Sequence, residues 1–181
     1  MRLSLASHPD SPGAPISRID VDVNRPSPGQ VCFRYEATGQ IGDIVLPPPA
    51  RGERRDELWK HTCFEAFLRT PGEEGYLEFN FSPATDWAAY AFDGYRRGMR
   101  PLLEIGAPAI AVDRGAGRLM VQATLQLAMA APSAPLELAL SAVIEHGDGA
   151  KSYWALRHPP GKPDFHHPDS FAIELPAAES A

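Results

Sequence analysis

LMVQATLQL, residues 119–127, puts Leu119, Val121, Ala123, Leu125 and Leu127 on one side of an extended chain and Met120, Gln122, Thr124 and Gln126 on the other. Strict alternation with period two marks a β-strand that lays one face on a core. The same reading extends outward along the chain. Ile19, Val21 and Val23 alternate with Asp20, Asp22 and Asn24, and Val31, Phe33 and Tyr35 alternate with Cys32, Arg34 and Glu36. Further strand-like runs occupy 62–68, 76–81, 87–92, 109–112, 136–145, 152–157 and 171–175. Run 136–145 also carries the Leu, Glu and Ala of a helix-forming segment, so a helix reading stands beside the strand reading there.

Turn residues separate most of these runs, at 26–29, 47–52, 71–75, 114–117, 147–149 and 159–163. About ten short strands so spaced predict an all-β chain with little helix. The expected form is an antiparallel β-sandwich of the jelly-roll type, one domain over 1–181. Its core is predicted to hold Leu77, Phe79, Phe81, Val121, Leu125, Val31, Phe33 and Ile144, and the proline-rich link at 132–135 to join two strands of one sheet.

Composition agrees. The 181 residues include 19 Pro and 15 Gly, which interrupt nearly every window where a long helix could run. With 44% hydrophobic residues, and a length at which about 70% of the unfolded surface can be buried, no metal or disulfide staple is required for a core. Lys and Arg number 17 against 23 Asp and Glu, a net charge of -6, which gives no footprint for a phosphate backbone and so no expectation of nucleic acid. No apolar run reaches the roughly 18 residues of a membrane span. The opening MRLSLASHPDSPG lacks the apolar stretch of a secretory signal, so a cytoplasmic location is expected. Cys32 and Cys63 then read as reduced, small, buried residues.

Three segments carry more chemistry than a scaffold needs. In ELWKHTCFEAF, residues 57–67, Glu65 sits mid-strand among apolar neighbours after Trp59. A carboxylate there must be hydrogen-bonded or paired, either with an Arg of an adjacent strand or with a ligand. In GYLEFNFSPATDWAAYAFDGYRRGM, residues 75–99, Leu77, Phe79 and Phe81 face one way and Tyr76, Glu78, Asn80 and Ser82 the other, with Trp87, Tyr90 and Tyr95 close by. Polar groups beside aromatic faces suit a sugar, whose hydroxyls want hydrogen bonds and whose C–H surfaces stack on rings; an ordinary solvent-facing strand surface would show the same alternation.

The third segment, SYWALRHPPGKPDFHHPDSFAIEL at 152–175, holds Trp154, His158, Lys162, Asp164, His166, His167 and Asp169. His and Asp suit zinc, but the spacing matches no helix-borne pair, and a loop tied by its own hydrogen bonds is the plainer expectation. No nucleophile elbow, phosphate-binding loop or dinucleotide fingerprint is present in the sequence. The enzyme alternative is a metal- or carboxylate-dependent hydrolase acting on sugars, built on His158, Asp164, His166 and Glu65, or on Glu65 paired with Glu78. A third class is an interaction module that recruits a protein partner through exposed strand edges.

In their order and spacing these segments resemble the DOMON-like proteins related to the family 9 carbohydrate-binding modules. The residues that carry the resemblance are Leu58, Trp59, Phe64, Glu65 and Phe67, then the strand 76–81 with Ser82, Pro83, Trp87, Tyr90 and Phe92, and lastly Trp154 with the loop 162–166, KPDFH. It spans about residues 15–176. The resemblance implies a β-sandwich that binds a carbohydrate or sugar-bearing small molecule on a concave face without catalysis, or haem in some relatives. It implies sugar contacts from aromatic rings, with Trp59, Trp87 and Trp154 as candidates. Where the sugar-binding modules carry an acidic residue three places after the Trp, this chain has Thr62. Calcium is a further cofactor the resemblance brings, and for haem Met99 or Met120 with His61 or His158 would be the axial pair. The ligand-binding set expected from residues and resemblance together is Trp59, Glu65, Glu78, Asn80, Trp87, Tyr90, Trp154, His158, Lys162, Asp164 and His166.

Overall fold

Each alternating run forms a strand in the computed structural model, which describes residues 1–11, 13, 15–27, 29–127 and 134–178. The strands are β1 (Arg2–Ser7), β2 (Ile16–Ser27), β3 (Gln30–Gly39), β4 (Cys63–Arg69), β5 (Tyr76–Phe81), β6 (Trp87–Phe92), β7 (Arg100–Pro101), β8 (Ala109–Arg114), β9 (Arg118–Gln126), β10 (Leu136–Glu145), β11 (Lys151–Ala155) and β12 (Ile173–Leu175). Helical structure among the described residues is confined to single 3-10 turns at Ile41–Asp43, Leu58–Lys60 and Pro168–Ser170. Among the described residues no helix is long and apolar enough to cross a membrane. The expected turn at 26–29 and link at 132–135 lie partly outside the described residues.

All strand pairs are antiparallel, in the order β7-β6-β5-β4-β10-β11-β1-β2-β3-β9-β8, with β12 on β10. The sheet folds over at β1, which pairs with β11 through its end and with β2 along its length. The result is a β-sandwich. Its core interleaves Val21, Phe33, Tyr35, Val121 and Leu125 from one layer with Phe64, Phe79, Phe81, Leu140 and Ile144 from the other, all close to fully buried. Leu77, expected in that core, is half-buried and packs at its margin. Tyr35 spans the layers, and its hydroxyl donates to the backbone carbonyl of Glu65 at 2.7 Å.

Two strands escape sequence reading. Strand β1 offers only Leu3 and Leu5 as an alternating pair, and β7 is two residues long and ends in Pro101. The helix alternative for 136–145 is settled by neighbours: β10 is paired on one side by β4 and on the other by β11 and β12, and eight of its residues are buried. A central strand enclosed on both faces loses its polar alternation, which leaves helix and strand propensities to compete in the sequence. Cys32 and Cys63 are free; they lie on the outer faces of opposite layers, separated by the sandwich thickness of about 10 Å.

The outer faces of the two layers differ in kind. On β1, β2 and β3 the outer face is a charged lattice in which Arg2, Arg18 and Arg34 bridge Asp20, Asp22 and Glu36. These hydrogen bonds, led by that of Arg18, hold the Asp20 carboxyl down at about 2. The outer face of β4, β5, β6, β10 and β11 is instead apolar and covered, with Phe67, Tyr76, Tyr90, Phe92 and Val143 buried beneath Phe165, Phe171 and Trp59.

Candidate functional site

Register brings the polar groups of that covered face together. Ser141 on β10 pairs with Glu65 on β4, and Glu65 with Asn80 on β5; one step along, Phe67 pairs with Glu78 and Glu78 with Tyr90. Glu65 and Glu78 are therefore diagonal cross-strand neighbours on one face, within reach of each other. They floor a cavity of about 460 Å³, walled by Trp59, Tyr153, Phe92, Phe165, Arg96 and His166.

Three chain segments close over the floor. The 3-10 turn at Leu58–Lys60 sets the Trp59 ring edge-on against Tyr90, 5.7 Å between centroids. Between β6 and β7 the chain turns through Arg96, at φ 52° in the left-handed region, and its guanidinium reaches Asp164 at 2.7 Å. Past β11, the prolines around PDFHH hold an irregular loop whose Phe165 and His166 turn down onto the sheet. The His166 ring contacts Phe67, Tyr76 and Phe92 edge-on, and its Nδ1 lies 2.9 Å from the Tyr76 hydroxyl. Asp164 is the tie for this roof, accepting from the Tyr95 hydroxyl, from Arg96 and from the His166 backbone N–H.

The electrostatics follow from burial. Glu65 is 2% exposed; its Oε2 accepts from Ser141 Oγ at 3.0 Å, while its Oε1 is buried without a partner. Glu78 accepts from Asn80 Nδ2 at 2.7 Å and lies 3.8 Å from His166 Nε2. Burial raises both carboxyls well above the ordinary range, and the Glu78 charge raises Glu65 further, against smaller opposing effects of Ser141, Asn80 and Arg96. His166 is pushed down to about 4, chiefly by burial and then by Arg96, so its imidazole is neutral near pH 7. Burial, with the Glu65 charge behind it, likewise raises the Cys63 thiol.

Of the residues singled out in the sequence, Trp59, Glu65, Glu78 and His166 line this cavity. Asn80, Tyr90 and Asp164 support it from behind, Tyr90 by donating to Asp56 at 2.7 Å. Four others do not join it. Trp87 and Trp154 lie on the opposite face of the same sheet, in the sandwich core, at 6% and 5% exposure. Trp87 stacks under Arg54, and the Trp154 indole donates to Ser152. His158 bonds the Ala6 carbonyl, and Lys162 is exposed. Sequence reading missed Arg96, Tyr153 and Phe165. For Tyr153 a signal existed: in KSYWA a core Trp154 turns its neighbour to the other face.

Among the described residues no group of three or more His, Cys, Asp or Glu is placed to hold a metal ion. Thr62, at the position where related modules carry an acid, spends its hydroxyl on the Val45 carbonyl and the Glu145 N–H. Met99 and His166 both border the cavity, with His166 Nδ1 2.9 Å from the Tyr76 hydroxyl and Nε2 3.8 Å from Glu78. His61 pairs with Glu145 at 2.8 Å and borders a neighbouring cavity, not this one. A larger cavity of about 680 Å³, bordered by the segments 47–62 and 82–86, contains Asp86, whose carboxylate is satisfied by Glu53 N–H and Arg55.

No known family description and no curated protein matches the sequence. Among solved structures, the chain is similar to a candidate carbohydrate-binding protein from Bacteroides uniformis, with TM-score 0.63 and 10% identity over 93% of this chain and 83% of that one. It is also similar to a family 9 carbohydrate-binding module from Caldicellulosiruptor kristjanssonii, solved in complex with glucose, with TM-score 0.55 and 11% identity over 94% of this chain and 81% of that one. At such identities the likeness is one of fold.

Proposed function

We propose that the protein binds a carbohydrate or sugar-bearing small molecule, without catalysis, in the cavity over β4, β5 and β10. The observation that carries this reading is the pair Glu65 and Glu78 on the cavity floor, backed by Ser141 and Asn80 and set under aromatic walls. A volume of about 460 Å³ suits a mono- or disaccharide-sized ligand. Likeness of fold to sugar-binding proteins supports the reading and does not by itself transfer it.

Binding is favoured over sugar hydrolysis by the state of the two carboxyls. Glycoside hydrolysis needs one carboxyl kept protonated and a second kept ionised. Here burial raises both, and among the described residues no Lys or Arg within ion-pair distance holds either one charged.

Titration calorimetry with a panel of mono- and disaccharides tests the proposal. Saturable heat is expected with at least one of them. A stacking ring contributes about 1 kcal/mol, so Trp59→Ala should weaken that binding several-fold. Heat with none of the sugars, or a Trp59→Ala variant that binds as tightly as wild type, contradicts it.

A further inference from the structure

The cavity floor holds two acidic side chains that, among the described residues, have no Lys or Arg at ion-pair distance. Glu65 Oε1 has no partner, and the group nearest to an ion pair with Glu78 is the neutral His166 at 3.8 Å. Among the described residues no Lys or Arg forms a salt bridge with either carboxyl. The cations that do border the cavity are each turned elsewhere: Arg96 to Asp164 and Lys60 to Glu57, both at 2.7 Å, and Lys151 to the Lys60 carbonyl at 2.5 Å. Around this floor stand the rings of Trp59, Tyr153, Phe92 and Phe165.

We propose that the cavity recognises a protonated amine on a sugar-sized ligand, an amino-substituted hexose being the simplest member of the class, with the ammonium seated against Glu65 Oε1 and Glu78. The inference rests on the sugar-binding reading above and narrows it. An ammonium group brings three donors and a positive charge to two acceptors buried side by side, and aromatic faces attract the same charge. A hydroxyl offers one donor and no charge, so it gains nothing from ionising the buried carboxyls. Uptake of the cation also draws the carboxyls into their ionised form, so binding releases protons. The groups that share in this balance are Ser141 on β10, Cys63 on β4, Asn80 on β5, and Arg96 and His166 from the roof.

The test is calorimetry of the full chain near pH 7 with glucosamine, glucose and N-acetylglucosamine, each in two buffers of different ionisation heat. Glucosamine is expected to bind at least tenfold more tightly than either neutral sugar and to release protons as it binds. Glu65→Gln, nearly isosteric, should bring glucosamine to within about twofold of glucose when both sugars are titrated into the same variant, and Glu78→Gln should reduce the preference in the same direction. Equal affinities for the three sugars, or a preference that survives both substitutions, overturns the amine assignment and leaves the sugar reading standing. No heat with any of them overturns both.

Discussion

Trp87→Ala is expected to destabilise the protein by about 3–5 kcal/mol, the range for truncating a buried aromatic, and to lower its melting temperature by roughly 10 °C at this chain length. The indole starts β6 on the core side, opposite Phe81 of β5 and within the buried core, and the Arg54 guanidinium lies 4.2 Å above it. Arg54 is fixed by the carbonyls of Leu102 and Ile105, so it cannot fold down into the space left by the ring. Incomplete collapse is what makes such a cavity costly. Below its melting temperature the variant should still bind ligand as wild type does, because the ring faces away from the cavity. Thermal denaturation followed by circular dichroism checks the first half and calorimetry the second. A melting point unchanged within 2 °C by the substitution would contradict the core placement.

Glu65→Gln is expected to stabilise the unliganded protein at alkaline pH and to change little near pH 5. The carboxyl is raised in the folded state above the 4.5 of an unperturbed Glu, so the folded chain holds protons that the unfolded chain releases. Stability contributed by Glu65 and Glu78 is thus complete below pH 4.5 and is lost as pH rises through their folded values. His166 works in the opposite sense. Lowered from 6.5 to about 4, it withdraws stability as pH falls between those values. The two contributions oppose each other from pH 4.5 to 6.5, and above 6.5 only the carboxyls act. Wild type should therefore lose stability from pH 6.5 upward. Glu65→Gln should flatten that decline by about 2 kcal/mol, the scale of a buried polar group left unpaired, or about 4–8 °C in melting temperature. Glu74→Gln, whose side chain is 80% exposed, serves as the control and should leave the slope as it is. Parallel wild-type and Glu65→Gln profiles from pH 6 to 9 would show that the carboxyl is already ionised in the folded protein.

These two residues also show how far the site was legible in the sequence. Alternation located the strands, because one solvated face and one core face give period two, as in 119–127. It fails where both faces are covered. In WAAYAF every residue is buried, and nothing in the pattern says that Trp87 faces the other layer while Tyr90 faces the cavity. The same parity separates Tyr153 from Trp154, so two of three tryptophans expected to meet ligand turned out to be core. Glu65, Glu78 and Asn80 were legible because a polar residue amid Phe and Leu conflicts with the local pattern, and such conflicts gather at functional sites. The roof was not. Arg96 and Phe165 come from loops, where no periodicity carries information and only the tertiary fold sets direction, and His166 was singled out by its residue type alone.

The three indoles provide the most direct test of the account. Trp59 stands at the cavity, while Trp87 and Trp154 are held in the core on the far face of the same sheet. In a titration with glucose or glucosamine followed by nitrogen–proton NMR, the Trp59 indole and Asn80 carboxamide signals should move together and saturate at one dissociation constant, with the Trp87 and Trp154 indoles unmoved. Saturating shifts at Trp87 or Trp154 with Trp59 and Asn80 silent would contradict the site.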